Sequence, residues 1–299
     1  MRTGYGVAAY GLALAAVFGG TWAAGAATGT TPPPPEPATA HTGDGTDAAG
    51  HGNTHGNTQG NTHGDTGEKA PGAVPPGLSV SDSGYTLVTG DRSFRITGPD
   101  GKPVTRFAVE HEKRLHLVAV RRDGSGFRHV HPEMAADGTW SWPLRLTEPG
   151  SYRVFADFRP EGGPKLTLGT DVQVAGDYQP KRYDHDSRTF TVDGYEVTLD
   201  GTLTAGAASA VAVTVVKDGR PVTDLQPYLG ARGHLVALRA ADLAYLHVHP
   251  EDGERVRFAV EVPTAGTYRL FLDFRHNGVV RTAEFTITTG EGDGHDHGN

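Results

Sequence analysis

Part of this chain is written twice. Asp100-Gly101-Lys102-Pro103-Val104-Thr105 returns as Asp218-Gly219-Arg220-Pro221-Val222-Thr223, an offset of 118 positions, and the segments that follow keep that offset. Leu115-His116-Leu117-Val118-Ala119-Val120-Arg121 corresponds to Gly233-His234-Leu235-Val236-Ala237-Leu238-Arg239. His129-Val130-His131-Pro132-Glu133 corresponds to His247-Val248-His249-Pro250-Glu251. Further on, Gly150-Ser151-Tyr152-Arg153-Val154-Phe155-Ala156-Asp157-Phe158 matches Gly266-Thr267-Tyr268-Arg269-Leu270-Phe271-Leu272-Asp273-Phe274, with the offset reduced to 116. A period this long exceeds the roughly 20–50 residues of solenoid repeats. It fits two complete domains.

Within each copy, short runs rich in Val, Thr, Phe and Tyr alternate with turn residues, as at Thr86-Leu87-Val88, Phe94-Arg95-Ile96 and Val211-Ala212-Val213-Thr214-Val215. No stretch of either copy holds a helical period over eleven residues without Gly or Pro. The expectation is all-β: two tandem immunoglobulin-like β-sandwich domains at 78–176 and 189–290, joined by a polar linker at 177–188.

Ahead of them, Gly4 to Ala27 is uncharged and apolar behind Arg2, so residues 1–27 read as a signal peptide or a membrane anchor. In both cases the folded part lies outside the cytoplasm, secreted or anchored by that segment. Residues 28–77 are rich in Pro, Gly, Thr and His, with little to bury, and read as a disordered tether, as does the tail at 291–299. His41, His51, His55, His63, His295 and His297 fall in these segments, where a His-bearing spacer and a loose metal tract are both open readings. A net charge of -8 argues against nucleic acid as a partner. With no cysteine, thiolate metal sites and disulfides are excluded, and any metal must rest on imidazole and oxygen.

The histidines carry the functional reading. His-x-His on a strand puts both rings on one face. If 122–125 forms a four-residue hairpin loop, Val118 faces His129 and His116 faces His131, so the three rings converge. The same loop at 240–243 sets His234 opposite His249 with His247 on the diagonal. The expected metal ligands are therefore His116, His129 and His131 in one sandwich and His234, His247 and His249 in the other, one cluster each. Glu133, Glu251, Asp157 and Asp273 are candidate oxygen donors. Met134 and His111 are replaced by Asp252 and Leu229 in the second copy, which excludes them from a duplicated site.

Three imidazoles suit copper(II) or zinc. Duplication copies structural residues too, so hydrogen-bonded core histidines are the competing reading. Three further expectations follow from the pattern. Leu117, Ala119, Leu235 and Ala237 alternate with Val118, Val120, Val236 and Leu238, so these strands are apolar on both faces and the domains should pack against one another near the hairpins. Arg153 with Asp157, and Arg269 with Asp273, share a face and are candidate ion pairs. Tyr152 and Tyr268 are candidates for a backbone hydrogen bond at a sandwich corner.

These motifs, His-Leu-Val-Ala-[Val/Leu]-Arg, His-Val-His-Pro-Glu and Gly-[Ser/Thr]-Tyr-Arg-[Val/Leu]-Phe-x-Asp-Phe, resemble exported actinobacterial tandem sandwich proteins, some labelled heavy-metal-associated, that are similar to YtkA-like domains. The resemblance implies fold and location and brings no reaction with it. Neither Gly-x-Ser-x-Gly nor His-Glu-x-x-His occurs, and no enzyme activity is expected. The expected function is an extracytoplasmic metal-binding protein, a copper(II) or zinc buffer, carrier or sensor, whose affinity falls below about pH 6 as imidazoles protonate. The alternative is a metal-free scaffold that binds another envelope protein through open sandwich faces.

Overall fold

The structure, a computed structural model, describes residues 74–246, 248–251, 253 and 255–289. The apolar segment, the tether up to residue 73, the tail and His247 lie outside the described residues, whereas Gly77, at the end of the expected tether, donates its N–H to the Thr167 carbonyl at 2.8 Å. Every regular element among the described residues is a strand, and none is a helix long and apolar enough to cross a membrane. The first copy contains β1 (Ser81–Asp82), β2 (Tyr85–Thr89), β3 (Ser93–Thr97), β4 (Leu115–Arg121), β5 (Arg128–Val130), β6 (Trp140–Ser141), β7 (Gly150–Phe158) and β8 (Leu166–Val174). They form an outer sheet in the order β1-β2-β3-β6 and an inner sheet β5-β4-β7-β8.

The second copy contains β9 (Thr189–Val192), β10 (Tyr195–Asp200), β11 (Ala207–Lys217), β12 (Arg220–Pro221), β13 (His234–Arg239), β14 (Tyr245–Leu246), β15 (Val248–Glu251), β16 (Val256–Val262), β17 (Gly266–His276) and β18 (Val279–Thr289). Its outer sheet runs β15-β16-β11-β10-β9, with β12 on β11, and its inner sheet β14-β13-β17-β18. The two immunoglobulin-like sandwiches expected from the repeat are both present.

Pleat parity divides the inner-sheet side chains between two cores. On β4 and β7, Leu117, Ala119, Val154 and Ala156 turn inward against Leu87, Phe94, Ile96 and Trp140 of the outer sheet. On β13 and β17, Leu235, Ala237, Leu270 and Leu272 meet Val197, Val213, Phe258 and Val260. The alternate residues build a third core between the sandwiches, where Val118, Val120, Phe127 and Phe155 meet Val236, Leu238, Tyr245 and Phe271. Phe127 and Phe271 stack across it with centroids 4.1 Å apart. The expectation that two-faced strands require cover on both sides is met by the partner sandwich.

Tyr152 Oη–H donates to the Glu148 carbonyl at 3.1 Å and Tyr268 Oη–H to the Thr264 carbonyl at 2.7 Å, so both corner bonds form. The expected arginine–aspartate pairs do not. Arg153 donates to the Gly77 carbonyl and to Asp171. Arg269 donates to the Gly124 and Phe285 carbonyls, Thr286 and Glu284. A guanidinium has five donors and satisfies them best among several acceptors along a sheet seam, which leaves Asp157 and Asp273 to other partners.

Candidate metal centre

The face of β4 that carries Val118 and Val120 toward the second sandwich also carries His116, so the histidine lies at the end of the interdomain core and is 3 % exposed. The hairpin takes the expected register: Arg121 N–H donates to the Ser125 carbonyl at 2.8 Å, and Val118 pairs with His129. That register brings His129 and His131 to the same side. One nitrogen from each of His116, His129 and His131 lies within 4.8 Å of the others. His116 Nδ1 is 3.1 Å from His129 Nε2 and 3.2 Å from His131 Nε2. Two nitrogens, each about 2.05 Å from one ion and subtending about 100° there, stand about 3.1 Å apart. The spacing fits one metal ion.

Outer partners decide which nitrogens carry protons. His116 Nε2 faces the Glu110 carbonyl at 3.1 Å, an acceptor only, so Nε2 holds the hydrogen and Nδ1 presents a lone pair. His129 Nδ1 faces Asp273 Oδ2 at 2.7 Å, with side chains 1 % and 4 % exposed, so Nδ1–H donates and Nε2 points inward. Two lone pairs thus confront each other at 3.1 Å. Only a shared proton or a cation makes that contact favourable. Carbonyl or carboxylate acceptors on the outer nitrogens are also what orient metal-binding imidazoles and raise their basicity.

The Glu110 carbonyl is held by a tight turn. Glu110 and Lys113 exchange backbone hydrogen bonds at 2.8 and 3.0 Å, with His111 at φ 47° and Glu112 at φ 64°. Both central residues occupy the left-handed region without being glycine, a conformation that costs free energy. The turn sets the His111 ring 6.1 Å from His116 and 5.5 Å from His234. In the second copy the equivalent turn places Tyr228 beside the site, 6.4 Å from the His131 ring.

Burial and crowding favour the neutral form of His111, His116, His131 and His234. Burial, then the charge His129 carries when protonated, lowers His116 to about 4 against the opposing pull of Asp157. Burial, then His129 and His116, lowers His131 to about 3. His234 is pushed well below the ordinary range by burial and by His129, His116, His111 and His131. Burial also lowers His111, and burial with the Asp273 charge raises Tyr228 to about 12. At pH 6, where imidazoles of ordinary basicity are partly protonated, burial and their neighbours hold His116 and His131 unprotonated.

Of the expected second cluster, His247 lies outside the described residues, and the described His234 and His249 are placed apart in the fold, on strands of different sheets. Leu238 pairs with Tyr245, as the loop length requires, but β14 ends at Leu246 and β15 belongs to the outer sheet. Val248 pairs with the buried Val260, so Val248 faces the second core and the adjacent His249 is turned outward and exposed. His234 instead joins the first cluster, its ring stacked on His116 at 5.3 Å and 5° and on His129 at 5.0 Å and 28°. Among the described residues, His111, His116, His129, His131 and His234 form a composite group between the sandwiches.

The carboxylates also depart from expectation. Glu133 is exposed, its backbone N–H bound to Ser141, and Glu251 pairs with Arg257 at 3.0 Å. Asp157 pairs in register with His116 but accepts from Thr167 at 2.9 Å, with Lys165 3.9 Å away. Asp273 supports His129 from the outside. His111, excluded by the duplication argument, lies in the group. Its signal was the Glu110-His111 pair close before His116, and no repeat comparison could reveal a residue that the second copy replaces with Leu229.

A family model described as a domain of unknown function, DUF8832, matches twice, over residues 77–176 and 190–291. Among solved structures, the N-terminal Ig1-2 module of the Drosophila receptor protein tyrosine phosphatase DLAR is similar at 8% identity, TM-score 0.20, over 66% of this chain and 88% of that one. A Corynebacterium diphtheriae protein described as membrane anchored is similar at 12% identity, TM-score 0.19, over 69% of this chain and 59% of that one. No curated protein matches the chain.

Proposed function

The chain belongs to the DUF8832 family, and we propose that its His116–His129–His131 group binds one divalent transition metal ion, copper(II) or zinc. The observation that carries this reading is the 3.1 Å approach of His116 Nδ1 to His129 Nε2, two nitrogens whose ring partners face a carbonyl and a carboxylate. A third imidazole beside them supplies a nitrogen donor set of borderline softness, suited to zinc or copper(II) rather than calcium or magnesium. The apolar Gly4–Ala27 segment supports a location outside the cytoplasm, and the proposed role is that of a buffer, carrier or sensor without turnover.

A metal-free scaffold is the second reading. It draws on the fact that the outer nitrogens of His116 and His129 have protein acceptors, and a proton on His129 Nε2 answers the inward lone pair of His116. Titration of the intact chain against a competing chelator separates the two. His129→Ala with His131→Ala removes one tight equivalent of zinc or copper(II) on the metal reading, while the tether and tail histidines are common to both proteins. Identical isotherms for wild type and variant would retire it.

A further inference from the structure

We infer that the second sandwich completes the metal centre, so that metal binding and docking of the two sandwiches are coupled. This rests on the metal reading above. All three candidate ligands come from the first copy, from β4, β5 and the residue after it, yet the carboxylate that fixes His129 comes from β17 of the second. The first copy's own equivalent, Asp157, is occupied by Thr167 and Lys165. Asp273 is in turn held by Thr282, whose Oγ1–H donates to Asp273 Oδ1 at 2.6 Å. His234, also from the second copy, closes the other side by stacking on His116 and His129.

Asp273 is a positioning residue. Its acceptor selects the tautomer of His129 that directs Nε2 inward and fixes the ring's orientation. With the sandwiches apart, His129 Nδ1–H faces water and the ring turns freely. Loss of such an outer acceptor typically weakens a metal site 10- to 100-fold. By linkage, metal then favours the docked arrangement over the undocked one by the same factor.

The test uses the intact chain with zinc and copper(II). Asp273→Asn, which keeps an acceptor but loses the charge, should weaken metal affinity by about 10-fold or more and shift the copper(II) ligand-field band. Thr282→Val, which frees the carboxylate without removing it, should weaken binding less. Metal should slow amide hydrogen exchange in 233–239 and 268–275 of the second sandwich in wild type, and do so less in Asp273→Asn. If His129→Ala loses the ion while Asp273→Asn binds with wild-type affinity and spectrum, and metal leaves exchange in those segments unchanged, the coupling is refuted and the metal reading stands. If the wild type binds no ion at the cluster, both fall.

Discussion

His116→Asn should flatten the acid dependence of stability. In the folded protein burial and the neighbouring His129 lower His116 to about 4, whereas in an unfolded chain it titrates near 6.5. The unfolded state therefore binds more protons over this interval, and stability rises with pH between about 4 and 6.5. The contribution is complete above the unfolded value and is lost as pH falls toward the folded one. For a side chain 3 % exposed, the loss between pH 7 and pH 4 is on the order of 3 kcal/mol from this residue. Urea unfolding of wild type and His116→Asn at both pH values, with a chelator present, reads the difference of differences. The baseline change caused by the substitution cancels. If the two proteins lose the same stability on acidification, His116 is not held neutral by its surroundings, and the electrostatic picture of the cluster is wrong.

Phe271→Ala should destabilise the protein by about 3–5 kcal/mol in the same assay, because the ring is fully buried between the sandwiches and stacked on Phe127; a loss under about 1 kcal/mol would mean that the interdomain core is loose. Zinc binding at pH 6 should release about one proton or fewer per ion, read by calorimetry in buffers of different ionisation enthalpy, since His116 and His131 are already unprotonated. Three ordinary histidines would release about two.

The sandwiches and the inner hairpin were legible because they depend on local rules. A four-residue loop fixes Val118 opposite His129, and alternation then assigns Leu117 and Val118 to different cores. The two-faced apolar pattern of β4 and β13 even announced that the sandwiches would pack together. What the sequence hid is where symmetry breaks. Duplication implies two like clusters, but Val248 pairs with β16 of the outer sheet, and the outward turn of His249 follows from Val248 joining the second core. His111 and Asp273 became visible only with tertiary placement: one depends on a strained turn, the other on a contact between residues 144 positions apart in the chain.

The most direct measurement is the metal-edge absorption spectrum of the intact chain loaded with one equivalent of zinc or copper(II), beside that of the His116→Ala, His129→Ala, His131→Ala protein. A first shell with three imidazole nitrogens at about 2.0–2.1 Å that disappears in the variant is the predicted result. A spectrum left unchanged by the three substitutions would place the ion elsewhere and contradict the assignment.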